Sequence, residues 1–310
     1  MLTVLLLSPS LDVTYRVAEV TVGEIHRPRE VLRFPGGKGL NLARAATRLG
    51  GSARVVAPLG GHIGELVSAL SERAGVAVIA VPVAGETRSC VTVAGDDGRL
   101  TEFYEPSAPL HPSEFEALRS TLRSLDGGSG WTALSGSVPT GVTLHELVAV
   151  LRARAEAGER IALDTHGAAL DTLITELRPQ LVKVNRHEAA ELLGADELLG
   201  ADAPAIELAR GIRERSGGTV IVTDGADGSV AVDGEGAWRA RLDFHGAFPV
   251  GSGDSYLGGI LTVLDRGGSL GEALAVATGA AAANAAIPGA GEFSLDQARD
   301  LAARTTVEAL

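Results

Sequence analysis

Short apolar runs alternate with amphipathic segments along most of this chain, and few folds accommodate that rhythm. The runs at 2–7, 53–58, 131–134, 161–163, 181–184 and 219–222 are mostly aliphatic and too short for buried helices. Between and after them, 39–49, 63–74, 143–157, 168–177, 188–193 and 205–215 carry helical spacing, with stops such as Gly50-Gly51 and Gly75. A strand covered on both faces by crossover helices reads as such a continuous apolar run. The pattern predicts an α/β fold with a central, mostly parallel sheet and helices on both faces.

Two stretches break the rhythm. Residues 13–34 and 87–105 have β-branched or alternating strand patterns with no helix between, and Asp96-Asp97-Gly98 suits a hairpin turn in the second. Both are expected to pair into a small sheet beside the main one, able to act as a lid or to join two subunits. Residues 229–242 read as antiparallel strands with a turn at Asp233-Gly234. No internal repeat or linker divides the chain, so 1–310 is expected to form a single domain.

Composition narrows the partners. A formal net charge of −12 disfavours nucleic acid or an anionic membrane, though not a local basic pocket for a small anion. The single cysteine, Cys90, cannot pair within the chain and lies in an apolar run, which reads as core and suits a reducing cytoplasm. The first residues lack a basic segment, and Ser8-Pro9 follows too soon for a signal peptide or membrane span. No Cys/His spacing suggests zinc.

The chemistry concentrates in glycine-rich segments at strand ends. Val250-Gly251-Ser252-Gly253-Asp254-Ser255 precedes an apolar helical run. Two glycines one residue apart bring backbone N–H groups together at a helix N-terminus, which attracts anions. Asp254 then stands where a carboxylate stays ionised and can take a proton from a hydroxyl, while the amides of Gly251, Ser252 and Gly253 stabilise charge on a transferred phosphoryl group. An ordinary helix start, capped by Ser252 or Asp254, fits the same residues.

Five other segments carry weaker signals, each with a plain structural alternative. Gly36-Gly37-Lys38-Gly39-Leu40-Asn41 offers close backbone approach, a cation and an amide, yet has neither Walker A nor dinucleotide spacing. Asp12, after the first strand, suits sugar hydroxyls, and Arg88 suits a phosphate. Asn185 and Glu188 are three apart: they could hold hydrated Mg2+ or form a capping box. Thr223 to Gly228 could offer N–H groups to nucleotide phosphates or simply turn a hairpin.

Taken together, these segments resemble the PfkB family of ribokinase-like carbohydrate kinases over essentially the whole length. Gly251 to Ser255 meets the family's most specific motif, and 36–44 meets its early glycine motif. The Lys38 form of that loop, Gly85-Glu86-Thr87-Arg88 and Ser135-Gly136-Ser137-Val138-Pro139 look like the phosphosugar branch, with 1-phosphofructokinase and tagatose-6-phosphate kinase.

The resemblance implies ATP and Mg2+ as cofactors and a ketohexose monophosphate, fructose 1-phosphate first, as substrate. It implies Asp254 as general base with Gly251, Ser252 and Gly253 as anion hole. Asp12, Gly37 and Asn41 would hold sugar hydroxyls; Lys38, Arg88, Ser137 and Arg27 would meet the substrate phosphate. Lys183, Asn185 and Glu188 would act at the nucleotide phosphates and Mg2+, Thr223, Gly225 and Gly228 would line the nucleotide site, and the helix carrying Asn284 would sit by the adenine. The expected alternatives are tagatose 6-phosphate, an unphosphorylated sugar or nucleoside, and a non-catalytic sugar-phosphate sensor. Three departures stand out: Ser8-Pro9 where the branch usually has Asn-Pro, Lys183-Val184-Asn185 for Lys-Pro-Asn, and Glu105-Pro106-Ser107 where a glycine usually ends the triplet.

Overall fold

The computed structural model describes residues 1–194 and 203–310. Among them the elements run β1 (Leu2–Leu5), β2 (Ser10–Val17), β3 (Glu30–Gly36), α1 (Lys38–Arg48), β4 (Ala53–Leu59), α2 (Gly61–Arg73), β5 (Ala77–Pro82), β6 (Arg88–Gly95) and β7 (Leu100–Tyr104). Next come α3 (Pro112–Ser124), β8 (Trp131–Ser135), α4 (Leu144–Glu156), β9 (Arg160–Asp164), α5 (Gly167–Leu177), β10 (Leu181–Asn185) and α6 (Arg186–Leu193). After α7 (Ala205–Ser216) follow β11 (Thr219–Thr223), β12 (Ser229–Val232), β13 (Ala237–Arg241), α8 (Ser252–Asp265), α9 (Leu270–Ala285), α10 (Leu295–Arg304) and β14 (Thr306–Ala309).

The described strands form a ten-stranded sheet in the order β14-β13-β12-β11-β10-β9-β8-β1-β4-β5 and a four-stranded sheet, β3-β2-β6-β7. From β5 to β11 every pairing in the large sheet is parallel, and β12, β13 and β14 close it antiparallel. The α/β architecture is therefore the expected one, and the two excursions do pair into the smaller sheet, parallel at β2–β6. The Asp96–Gly98 turn closes β6 onto β7, where Gly95 N donates to Arg99 O at 3.0 Å.

Strand periodicity explains the two-sided core. Val4 and Leu6 pack with Leu42, Leu257 and Leu274 on one face, whereas Leu5 and Leu7 pack with Leu118, Leu147 and Leu151 on the other. Burying each such side chain contributes about 1.5–3 kcal/mol. Cys90 is buried, as its apolar setting predicted.

The alternation did not single out β5, α3, α10 or β14. β5 and β14 are edge strands with mixed burial, so neither shows a clean apolar run. α3 starts at a capping box between His111 and Glu114, with Pro112 in its first turn. No helix among the described residues is long and apolar enough to cross a membrane.

β1 lies between β4 and β8, so the chain leaves it in opposite directions to build the two halves of the large sheet. Such a switch point opens a crevice at the carboxyl ends of the strands. The small sheet stands over that crevice, because β2 begins five residues after β1 ends.

Candidate active site

A cleft of about 1030 Å³ fills the space between the carboxyl ends of the large sheet and the inner face of the small one. Asp12, Gly37, Lys38, Asn41, Arg88, Ser137, Lys183, Asn185, Glu188, Thr223, Gly225, Gly228, Gly251, Ser252, Gly253 and Asp254 all line it. Segments read separately along 240 residues of chain thus converge on one cavity.

Asp254 sits in the first turn of α8 and is buried. Gly251 caps that helix with φ 79°, a left-handed conformation that also keeps a side chain away from Ala290; a β-carbon there would fall 2.3 Å from Ala290 Cβ. At Gly253 a β-carbon would fall 2.8 Å from Lys183 Nζ, so glycine lets that ammonium reach the turn. The N–H groups of Gly253 and Asp254 lie where the helix supplies no acceptor. Ser252 differs from expectation: its N–H already donates to Pro249 O at 3.1 Å and its hydroxyl to Ala281 O at 3.1 Å, so both brace the loop.

Burial raises the Asp254 pKa, with help from Asp164, to about 6. Lys38, the Asn41 amide and Lys183 oppose that rise. The helix start alone suggested a firmly ionised group; in the cleft it is a carboxylate poised near neutrality, a stronger base than a solvated aspartate. Asn41 Nδ2 donates to Asp254 Oδ2 at 2.9 Å.

A second carboxylate organises the cations. Asp164, at the end of β9, lies 3.3 Å from Lys38 Nζ and 3.4 Å from Lys183 Nζ. Burial would raise its pKa, but Lys183 and Lys38 hold it below the ordinary carboxylate range. Sequence reading ended that strand at 163 and missed the residue, though the rule that singled out Asp12, an acid at a strand's carboxyl end, applies equally here. Lys38 also stands 3.5 Å from Glu188 Oε1, so its ammonium faces the ends of β9 and β10. Asp164, Glu188 and Asp254 raise the Lys38 pKa against the effect of burial, keeping it charged.

Asn185 and Glu188 form the capping box: Glu188 N donates to Asn185 Oδ1 at 2.8 Å and Asn185 N to Glu188 Oε2 at 2.9 Å. Thr223 to Gly228 turns the hairpin between β11 and antiparallel β12, with Asp224 N donating to Gly228 O at 2.9 Å.

At the lid side, burial raises the Asp12 pKa, while the Ser10 hydroxyl donates to its Oδ1 at 2.7 Å. Arg88 begins β6; its Nη1 donates to Glu105 O at 3.0 Å, and its buried Nε finds no hydrogen-bond partner among the described residues.

Two expected residues lie elsewhere. Arg27 is exposed on the long connection between β2 and β3 and does not line the cleft, because that connection carries it beyond the sheet. Asn284 is wholly buried and outside the lining; neighbours Ala281, Ala282 and Ala285 face the cleft instead. Its Nδ2 donates to Val250 O at 2.8 Å, and its Oδ1 accepts from Gly291 N and the Ser255 hydroxyl, so it braces the glycine turn rather than facing a base.

Known proteins share this fold. A structure of phosphofructokinase-2 from Escherichia coli in complex with fructose-6-phosphate is 28% identical, covers 97% of this chain and 98% of its own, and superposes with a TM-score of 0.87. A possible 1-phosphofructokinase from Thermotoga maritima is 21% identical over 100% of this chain and 99% of its own, at a TM-score of 0.85. A putative ribokinase from Agrobacterium tumefaciens, 16% identical over 97% of each chain at 0.80, shares the fold. The family described as pfkB family carbohydrate kinase matches residues 7–298. With a buried carboxylate at a glycine-rich helix start and a lid over the same cleft, the chain belongs to the pfkB family of carbohydrate kinases, phosphotransferases that act on a sugar hydroxyl.

Proposed function

We propose that this enzyme transfers the γ-phosphoryl group of ATP to a ketohexose monophosphate, with fructose 1-phosphate as the first choice and fructose 1,6-bisphosphate as the product. Arg88 carries the phosphorylated-acceptor reading: its guanidinium lines the cleft, donates through Nη1 to Glu105 O and has no carboxylate partner among the described residues, which suits a phosphate brought by the substrate. Ser137 lines the same cavity and adds a hydroxyl donor. Fructose 6-phosphate is a second reading, favoured by the Escherichia coli relative crystallised with it; tagatose 6-phosphate is a third.

In this reading Asp12, Gly37 and Asn41 hold the sugar hydroxyls. Asp254 accepts the proton of the attacking hydroxyl as its oxygen bonds to the γ-phosphorus and the bond to the departing ADP oxygen breaks. The amides of Gly251 and Gly253 and the ammonium of Lys183 stabilise charge on the transferred group. Lys38, between Asp164 and Glu188, serves the phosphoryl path where acceptor and nucleotide meet. Thr223, Gly225 and Gly228 line the nucleotide end.

The donors near Asn185 suit a hydrated Mg2+. They are oxygens, as a hard cation requires, and among the described residues no cluster of three His, Cys, Asp or Glu side chains offers a protein-only cage. Asn185 gives its single side-chain oxygen to the capping box and Glu188 divides its two between that box and Lys38, so a metal here would be met through water. Bound Mg2+ supplies charge neutralisation on the nucleotide phosphates.

Val22, Ile25 and Phe103 are exposed on the lid, and a homodimer through that sheet would cover them. Sedimentation velocity of wild type against Phe103→Glu tests it; a monomeric wild type refutes the dimer.

The substrate is tested by turnover across fructose 1-phosphate, fructose 6-phosphate, tagatose 6-phosphate and free fructose. The reading expects a phosphorylated ketose to exceed free fructose in kcat/KM by at least about 10³-fold. Equal values would move the assignment to a free-sugar kinase.

A further inference from the structure

Arg44 is only 1% exposed, and a wholly buried arginine needs partners for its donors. It sits on α1 one turn after Asn41, outside the cleft lining. Its Nη2 donates to Asn41 Oδ1 at 2.9 Å and also to Ala290 O, its Nη1 donates to Pro35 O at 3.1 Å, and its Nε lies 3.5 Å from Glu292 Oε1. Two of these partners touch the chemistry. Asn41 passes a hydrogen bond on to Asp254, and Ala290 packs directly behind Gly251.

The two ends of an asparagine amide are nearly equal in size and opposite in hydrogen bonding. A free Asn41 could turn either end to Asp254. With its oxygen there, it would repel the carboxylate and accept from the protonated acid. Arginine can only donate, so the oxygen of Asn41 faces Arg44 and its NH2 faces Asp254.

We propose that Arg44 is a positioning residue that locks the Asn41 amide with its NH2 toward Asp254 and pins Ala290 behind Gly251, so that the carboxylate is held in its proton-accepting form. The proposal rests on Asp254 acting as the base. The other charged groups facing Asp254 are Asp164 from β9, Lys38 from α1 and Lys183 from β10, and replacing Arg44 leaves all three in place.

The test is the pH dependence of kcat at saturating substrates for Arg44→Lys, Arg44→Met, Asn41→Ser and Asn41→Ser/Arg44→Lys, with melting curves beside it. Lysine keeps the buried charge, and hence the fold, but cannot hold Asn41 and Ala290 together. In Arg44→Lys the acid limb should move up by about one pH unit, giving about tenfold lower kcat on that limb and recovery at high pH, with the ATP KM unchanged. In the Asn41→Ser background the same change should move the limb no further. An unmoved limb in Arg44→Lys, or the same shift with and without Asn41, overturns the lock. Failure of the base assignment itself shows separately, as retained turnover in Asp254→Asn.

Discussion

Ser8 and Ser107, 99 positions apart in the chain, share a hydrogen bond between their hydroxyls at the root of the lid. Ser8 lies on the way from β1 into the small sheet and Ser107 on the way back from β7 to α3. Both mark places where this sequence departs from its family's pattern, and the structure joins the two departures in one contact. Ser8 also lines the cleft. Ser8→Ala and Ser107→Ala should each raise the sugar KM, and the double variant should be no worse than the poorer single one. A coupling of about 0.5–1.5 kcal/mol in kcat/KM is expected from a mutant cycle. The ATP KM should not move.

Glu188 divides its oxygens between the capping box, through Oε2, and Lys38, through Oε1, so the proposed metal role would run through water. Glu188→Gln should therefore raise the Mg2+ concentration needed for half-maximal rate. A helix cap alone would change stability by about 0.5–2 kcal/mol and leave the Mg2+ titration where it was.

Arg88→Ala should reduce kcat/KM for the best phosphorylated ketose by about 2–5 kcal/mol, the range for truncating one partner of a buried charge pair. Turnover of free fructose, which brings no phosphate, should change far less. An equal loss on both sugars would make Arg88 a lid residue rather than a phosphate ligand.

Asp254 should cost the folded enzyme stability where it is ionised. Its pKa is raised from the model-compound 3.8 to about 6, so the folded state binds the proton more tightly than the unfolded one. The resulting stabilisation is complete below the unfolded pKa and is lost as pH rises through about 6. Asp254→Asn should thus gain on wild type as pH rises across that window and hold a constant lead of about 1–3 kcal/mol above it. Urea midpoints at pH 5 and pH 8 measure the difference.

Much of the site was legible because strand-end residues in a parallel sheet must converge. Asp12, Asn185 and Thr223 could be placed in one crevice once the strands before them were recognised. Asp164 was missed because its strand reads as ending one residue earlier. Arg44 hid inside a helix, where a long basic side chain ordinarily reads as solvated. Arg27 and Asn284 lie outside the cleft lining for a different reason: motif position does not fix which way a loop leaves a sheet or which face a helical amide presents. The lid sheet was foreseen from its strand patterns, but its parallel β2–β6 pairing needs long-range register that local sequence does not carry.

The central claim is that Asp254 takes the proton of the attacking hydroxyl. It is tested most directly by kcat of Asp254→Asn with the best ketose phosphate at saturating ATP and Mg2+, beside ligand binding by calorimetry. Asparagine keeps the size of the side chain and can still accept from Asn41, but it lacks the basic oxygen. The account predicts binding near wild type and a fall in kcat of roughly 10²–10⁴-fold or more. Retention of more than about a tenth of wild-type kcat, far outside that range, would contradict it.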